Sequence, residues 1–127
     1  MIGQQGEDAA ARLVQSLGMR IIARNWRKGH LEIDIICQDG DTIVFVEVKT
    51  RKSTGMQAPH EALTLHKQRT LIRASHAWLS ANNAWHIPCR FDFIGVQYHG
   101  TTFTTEHMPH AFDLTSALGS RHTTWQP

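Results

Sequence analysis

The chain of 127 residues contains no apolar run near the ~20 residues that a membrane-spanning helix needs. Its first seven residues lack the basic start and apolar stretch of a secretory signal peptide. The two cysteines, Cys37 and Cys89, form neither a CxxC pair nor the spacing of a zinc site, which favours buried thiols in a reducing compartment. We therefore expect a cytoplasmic protein without a membrane segment.

A strong charge of either sign is also lacking. Thirteen Lys and Arg against eleven Asp and Glu give a formal net charge of +2, which is compatible with nucleic-acid binding but does not indicate it without a local basic patch. The sequence has no P-loop, dinucleotide fingerprint or nucleophile elbow. Its length fits one domain. We expect that domain over residues 1–112 and a partly ordered tail over residues 113–127.

Hydrophobic spacing predicts two main helices and five strands. Apolar residues at i, i+3, i+4 and i+7 predict a helix over residues 3–17, ended by Gly18. A second helix is expected from Pro59 to about Asn82, and a short one near residues 114–118. The predicted strands cover residues 19–26, 30–38, 42–50, 89–98 and 102–107. This order predicts an α/β or α+β fold around a mixed sheet.

Two of the strands flank Asp39-Gly40 and carry several carboxylates. An Asp-Gly pair between apolar strands is the strongest short hairpin pattern in a sequence. If these two residues form the turn, Gln38 pairs with Asp41 and the rest of the register follows. Glu32 then lies opposite Glu47, and a bulge would shift this register.

Four charged side chains of this hairpin project from one face if side chains alternate along both strands. They are Asp34, which would lie opposite Phe45, together with Glu32, Glu47 and Lys49. The Cβ atoms of Asp34 and Glu47 would lie roughly 7–8 Å apart, suitable for sharing one cation. Because close carboxylates repel, a hard cation such as Mg²⁺ or Mn²⁺ is expected. Lys49 would neutralise an attacking hydroxide or the charge that develops on phosphorus.

Each pattern also has a structural interpretation. A Glu-x-Lys triplet at a strand end is often only a solvated ion pair worth roughly a few tenths of a kcal/mol. Trp26 is favoured as a half-buried core residue over a base-stacking one. Asp92, within an apolar run, is expected to pair with Arg90 or with a cation of a neighbouring strand. His107 and His110 are expected at the surface, because no third metal ligand is near in sequence.

Several short patterns occur together in the order typical of one protein family. They are Gly3-x-x-Gly6-Glu7, Arg24-Asn25-Trp26-Arg27, Glu32-Ile33-Asp34-Ile35-Ile36, Phe45-Val46-Glu47-Val48-Lys49-Thr50-Arg51, Lys67 and Arg90-Phe91-Asp92. The chain thereby resembles the YraN-type bacterial proteins, which belong to the endonuclease-like superfamily related to archaeal Holliday-junction resolvases. The match runs from residue 3 to about residue 112. One departure is Leu31, where the family usually has Gly before Glu-Ile-Asp.

The resemblance implies a restriction-endonuclease-like fold with a PD-(D/E)XK nuclease site. Asp34, Glu47 and the backbone carbonyl of Val48 would hold Mg²⁺ or Mn²⁺. Lys49 would position or deprotonate the attacking water, and Glu7 of the first helix would support the site. The products would be a 5′-phosphate and a 3′-hydroxyl. For Glu7, an N-terminal acid that complements the helix dipole is the alternative interpretation.

Six basic residues are candidate contacts to the phosphate backbone of structured DNA. They are Arg27, Lys28, Arg51, Lys67, Arg69 and Arg73. Ordinary solvated cations are the alternative for these residues. Two rival functions stay open as well: a nucleic-acid-binding module that keeps the nuclease fold but cleaves nothing, and an acidic surface for a basic protein partner. Junction cleavage would favour a homodimer over a monomer, because symmetric cuts need two sites.

Overall fold

The computed structural model describes residues 2–52 and 63–113, which form one five-stranded sheet with a helix packed on each face. The elements are α1 (Ile2–Ser16), β1 (Arg20–Lys28), β2 (Leu31–Asp39), β3 (Thr42–Lys52), α2 (Leu65–Ala81), β4 (Cys89–Tyr98) and β5 (Phe103–Phe112). No helix in the described part of the chain is long and apolar enough to cross a membrane. The arrangement confirms the predicted α+β fold with a mixed sheet.

The strands lie in the sheet in the order in which they occur in the chain. β3 and β4 pair in parallel, and the other neighbours pair antiparallel. A parallel pair needs a crossover connection, and α2 lies in the segment between those two strands. This topology places β3 in the centre of the sheet, where it pairs with β2 along one half and with β4 over nearly its whole length.

Each helix buries its apolar side against one face of the sheet. On the α1 face, Ala10 and Val14 pack in one cluster with Val44 and Val46, and all four are fully buried. The cluster on the α2 face consists of Ile33, Ile36, Ile43, Phe45, Leu71, Ile72, Ala74, Trp78, Leu79, Ala84 and Phe91. These two clusters fix both helices relative to the central strand β3. Both cysteines are free thiols; Cys37 is buried, as expected, whereas Cys89 is only half-buried.

The turn between β2 and β3 lies one residue later than predicted. Gly40 and Asp41 form it and Asp39 pairs with Thr42, so the predicted pair of Gln38 with Asp41 is wrong. Gly40 has a φ of 60°, and a type II′ turn places glycine at its first central position for this reason. Each paired residue of β2, from Ile35 to Asp39, consequently faces a β3 residue two positions further along than predicted. Because this shift is even, these paired residues stay on their expected faces.

The second helix begins at Leu65, later than the predicted start at Pro59. Thr64 caps it in an extended conformation, and the Thr64 hydroxyl accepts a hydrogen bond from the backbone N–H of Lys67 at 3.2 Å. The helix begins after Thr64 because the backbone of this residue is extended and not helical. Pro59 itself lies outside the described residues, as do the predicted short helix near residues 114–118 and nearly all of the predicted tail.

β5 is longer than the prediction, which ended at His107. The strand continues to Phe112, with a bulge in its pairing to β4 between Phe91 and Phe93. Beyond the bulge, the rings of Phe91 and Phe112 stack with centroids 4.6 Å apart. Residues 108–112 are partly polar and include a proline, so they lack the alternation of apolar and polar residues that predicts a strand. The contact between Phe91 and Phe112 joins distant parts of the chain and has no local pattern in the sequence.

Candidate functional site

β2 and β3 separate at the point where the two candidate metal-binding carboxylates lie. Their ladder ends at the pair Ile35–Val46, and the next residues are Asp34 on β2 and Glu47 on β3. Beyond this point β2 stays paired with β1, and β3 stays paired with β4. The two strands therefore form a fork that carries one carboxylate on each arm. The predicted pair of Glu32 with Glu47 is wrong, because both residues lie beyond the last pair of the ladder.

The alternation of side chains along β2 breaks at Asp34. Ile33 belongs to the core cluster on the α2 face, whereas Ile35 belongs to the cluster on the α1 face. Strict alternation would put both on the same face. Asn25 in the neighbouring stretch of β1 has a φ of 51°, a conformation that Asn tolerates better than most residues. At this switch, Oδ2 of Asp34 accepts a hydrogen bond from the backbone N–H of Val48 at 2.8 Å.

The two carboxylates line a cavity of about 270 Å³ between the fork and α2. Asp34 is only 8% exposed, and the Glu47 side chain is 19% exposed. The cavity is lined by His30, Glu32, Asp34, Glu47, His66, Lys67, Thr70 and Leu71. Its acidic residues come from the sheet, and its basic residues come from the β1–β2 turn and the first turn of α2. We refer to it below as the acidic cavity.

Burial and neighbouring acids raise the pKa of both fork carboxylates. For Asp34, burial is the largest cause and the charge of Glu47 the next, and together they raise the pKa to about 8. The hydrogen bond from Val48 opposes this rise, whereas Glu7 and Glu32 add to it. For Glu47, burial again raises the pKa, and the nearby ammonium of a lysine on α2 opposes it. The site therefore disfavours two bare negative charges.

Glu7 approaches the site from the α1 side. Its carboxylate is near enough to raise the pKa of Asp34, and its Oε1 is buried without a hydrogen-bond partner among the described residues. The preceding residue, Gly6, lets α1 lie directly on β3, because a Cβ atom there would overlap Oγ1 of Thr50 and lie 2.7 Å from its Cγ2. Glu7 directly follows this close contact of α1 with β3.

Two lysines flank Glu47 at different distances from the carboxylates. Nζ of Lys67 on α2 lies 3.6 Å from Oε2 of Glu47 and forms an ion pair with it. Lys49 is exposed and its charge opposes the rise in the pKa of Glu47, but it lines a second cavity of about 300 Å³ further along β3. Sequence reasoning assigned Lys67 only to nucleic-acid contact. Its contact with Glu47 joins residues distant in the chain, and no local pattern marks it.

The donor set at the fork fits a hard divalent cation. Two carboxylates on separate strands and a backbone carbonyl such as that of Val48 would offer oxygen donors, and Mg²⁺ commonly takes only one or two carboxylates while it keeps several waters. Within residues 2–52 and 63–113, no group of three or more His, Cys, Asp or Glu side chains lies close enough together to hold a metal ion by itself. The buried, unpartnered Oε1 of Glu7 adds an acceptor that a metal-bound water would satisfy.

The basic candidates for phosphate contact lie around the acidic cavity and on α2. The guanidinium of Arg27 pairs with Glu32 at 3.1 Å, and Lys28 is exposed close to the β1–β2 turn. Arg51 lines the second cavity. Arg69 and Arg73 are exposed on α2. Of the six candidates, Lys67 lines the acidic cavity.

Asp92 has the structural contacts that its apolar surroundings suggested. It is fully buried, and its Oδ1 accepts hydrogen bonds from Nε of Arg90 at 3.0 Å and from the backbone N–H of His110 at 3.1 Å. Nε2 of His107 lies 2.7 Å from its Oδ2. The pairing with Arg90 is confirmed, whereas the expected surface position of His107 is wrong, because its side chain is 18% exposed and contacts Asp92. Trp26 packs half-buried against the α2-side core, as expected.

Comparisons with known proteins place the chain in a family. The model of the uncharacterised protein family UPF0102 matches residues 6–96. A UPF0102 protein of Nitratidesulfovibrio vulgaris strain DP4 is 59% identical over 125 residues, which cover 98% of this chain and 93% of the relative. A UPF0102 protein of Lawsonia intracellularis is 46% identical over 126 residues, with 99% and 96% of the two chains covered. The chain belongs to the UPF0102 family, the YraN-type family that its sequence patterns resemble.

Proposed function

We propose that this protein is a Mg²⁺- or Mn²⁺-dependent nuclease that hydrolyses phosphodiester bonds in structured DNA. The observation that carries the proposal is the fork, where Asp34 and Glu47 are the first residues beyond the last β2–β3 pair and line one cavity. Carboxylates with raised pKa values in a cleft are typical of functional sites. A structural strand end needs no such pair of a buried and a half-buried acid.

Asp34, Glu47 and the carbonyl of Val48 would hold the metal ion. The ion would supply a nucleophilic hydroxide at neutral pH and would polarise the phosphoryl oxygen. The N–H of Val48 fixes one oxygen of Asp34 at 2.8 Å, so the second oxygen of that carboxylate keeps a defined direction. Glu7 would hold a water at the rear of the site through its otherwise unpartnered Oε1.

The lysines and histidines around the fork offset the charge of an incoming phosphodiester. Lys49 positions the attacking water from the β3 side, as the family resemblance implies. Lys67 already neutralises Glu47 at 3.6 Å and is near enough to contact a phosphate held there. His30 and His66 line the same cavity and offer ring N–H groups to a phosphate oxygen. These groups would let a polyanion approach an acidic site.

The exposed cations beyond the cavity would position the rest of the substrate. Lys28 on one side and Arg69 and Arg73 on the other would contact backbone phosphates, which set affinity and orientation but carry no sequence information. Cleavage of a symmetric junction would need two such sites and hence a homodimer. Products with a 5′-phosphate and a 3′-hydroxyl follow from the family resemblance.

A nucleic-acid-binding module without cleavage is the second candidate function. The observation that favours it is the ion pair of Lys67 with Glu47, which gives this carboxylate a cation without any metal. In that case, binding would depend steeply on salt because counterions are released, and divalent ions would leave both affinity and substrate intact.

The proposal is tested by titrating Mg²⁺ and Mn²⁺ into wild type and Asp34→Asn by calorimetry, with cleavage of a labelled four-way junction followed on the same samples. Asp41→Asn is the matched control, because it removes one exposed acid from the turn of the same hairpin. We expect metal binding and cleavage in wild type and in the control, and loss of both in Asp34→Asn. A wild type that binds no metal at millimolar concentration, even with DNA present, would leave the binding module as the function.

A further inference from the structure

The second cavity lies beside the acidic cavity along β3 and is built by two rows of residues across three strands. In the first row, Gly95 of β4 lies between Lys49 of β3 and Glu106 of β5. In the next row, Gln97 of β4 lies between Arg51 and Thr104. All six residues line the cavity of about 300 Å³.

The glycine in the centre of the first row creates the depression. Lys49 and Glu106 stand two strand spacings apart, roughly 9–10 Å between Cα atoms, and Gly95 contributes no side chain between them. Phe93 lies two residues before Gly95 on β4. It is fully buried and forms one end of the cavity. The result is a slot with a cation on one wall, an anion on the other and an apolar end.

We propose that this slot binds one unpaired nucleotide whose base carries an exocyclic amino group. The inference rests on the proposed nuclease function, because it places that nucleotide next to the phosphodiester bond cleaved at the fork. A nucleotide matches the slot at both ends: its phosphate is an anion for Lys49 and Arg51, and the amino group of its base is a donor for Glu106. Thr104 and Gln97 offer further hydrogen bonds to the base edge.

The position of Lys49 links the slot to the acidic cavity. Glu47 and Lys49 are two residues apart on β3, so their side chains lie on the same face of the sheet. Glu47 lines the acidic cavity and Lys49 lines the slot. A phosphate bound between the two cavities would thus have its attached nucleotide in the slot. A base inside a duplex cannot enter such a depression without leaving its stack, so the substrate class is DNA with an unpaired nucleotide at the cleaved position.

Calorimetry with dCMP and dTMP in the absence of metal tests the slot directly. Of these two bases, only cytosine carries an exocyclic amino group. The variants are Gly95→Val, which fills the centre of the slot, and Glu106→Gln, which removes its acceptor charge. Gln97→Trp is a second filling variant from an exposed wall residue, for use if Gly95→Val does not fold. Asp41→Asn again controls for the loss of one exposed acid. We expect wild type and the control to bind dCMP about tenfold more tightly than dTMP.

Glu106→Gln is expected to bind both nucleotides about equally, and the filling variants are expected to bind neither. Equal affinity of wild type for dCMP and dTMP, or undiminished binding in a folded filling variant, overturns the proposal. A parallel cleavage assay uses duplexes with one unpaired dC, one unpaired dT or none. Wild type that cleaves all three equally overturns the slot while the nuclease stands. Selective dCMP binding without any cleavage overturns the nuclease function and leaves the slot as a site for free nucleotides.

Discussion

Nζ of Lys67 lies 3.6 Å from Oε2 of Glu47, on the wall of the cavity that also contains Asp34. The lysine side chain is 47% exposed, so the pair contributes little to stability. Burial raises the pKa of both carboxylates, and the ammonium of Lys67 opposes that rise at Glu47, whereas the carboxylates of Glu47 and Glu7 add to it at Asp34.

Replacement of Asp34 by Asn should stabilise the metal-free protein at pH 8. The folded protein raises the pKa of Asp34 from 3.8 to about 8, so between these values the native state binds more protons than the unfolded state and wild-type stability falls as the pH rises. Asn keeps an oxygen for the N–H of Val48 and carries no charge. We expect a gain on the order of 1–3 kcal/mol at pH 8, smaller at pH 5, measured by urea unfolding without divalent ions.

Asp41→Asn is the control for the unfolding measurements on Asp34→Asn, since Asp41 is an exposed acid in the turn of the same hairpin. Its effect on stability should be within about 0.5 kcal/mol. A loss of stability in Asp34→Asn that is independent of pH would contradict the raised pKa of Asp34.

Removal of the charge of Lys67 should tighten binding of a divalent cation. Lys67 and the metal ion compete for Glu47, so Lys67→Gln should lower the dissociation constant for Mg²⁺ several-fold and should also increase the stabilisation of the protein by Mg²⁺. Cleavage should nevertheless slow, because the lysine is lost as a phosphate contact. Calorimetry gives the affinity, and Lys28→Gln is the control for loss of one exposed cation away from Glu47. Weaker metal binding in Lys67→Gln would show that the lysine supports the site instead of competing with the metal.

The sequence predicts the elements well, and it finds the two fork carboxylates through their spacing in a hairpin. β4 lies at residues 89–98, as its apolar pattern indicates. The fork itself could not be predicted, because the change of face at Asp34 interrupts the alternation on which any register argument depends. The sequence has no glycine or proline next to Asp34. The positive φ closest to this change of face belongs to Asn25, which lies on the neighbouring strand β1.

Contacts between distant segments account for the other differences. Lys67 reaches Glu47 because α2 crosses back over the sheet, and the length of the crossover does not specify which helix turn lies over the fork. His107 lies against Asp92 through the β4–β5 pairing. Pro109 lies in the irregular stretch of that pairing and is typical of a bulge or an edge strand, but it does not specify which residue His107 contacts. Both contacts are set by packing and not by local pattern.

Replacement of Gly6 by Ala should displace α1 and weaken the site. The added Cβ would overlap the side chain of Thr50, and overpacking of this kind costs about 1–3 kcal/mol. Because Glu7 follows directly, the affinity for Mg²⁺ should fall as well. Gly3→Ala in the same helix is the matched control, since nothing lies within 4 Å of its Cβ position, and it should be neutral or stabilising by a few tenths of a kcal/mol, below the ~1 kcal/mol of a helix interior.

A second change tests the cause of the Gly6→Ala defect. Thr50→Ala removes two of the three atoms that the new Cβ would meet, Oγ1 and Cγ2. The double variant should recover part of the lost stability and part of the lost metal affinity, which chemical unfolding and calorimetry measure separately. If the two substitutions were simply additive, the close approach of α1 to β3 would not be the reason for glycine at position 6.

Asp92→Asn should cost far more stability than Asp39→Asn, although both acids pair with the same arginine. Asp92 is fully buried and surrounded by donors from Arg90, His107 and the backbone of His110, so an amide would place its own N–H groups against them. Breaking a buried pair typically costs about 3–5 kcal/mol. Asp39 lies 2.8 Å from Arg90 with 47% of its side chain exposed, and its loss should cost below about 1 kcal/mol. Urea unfolding at pH 7 measures both, and equal losses would show that the network around Asp92 does not act as a buried unit.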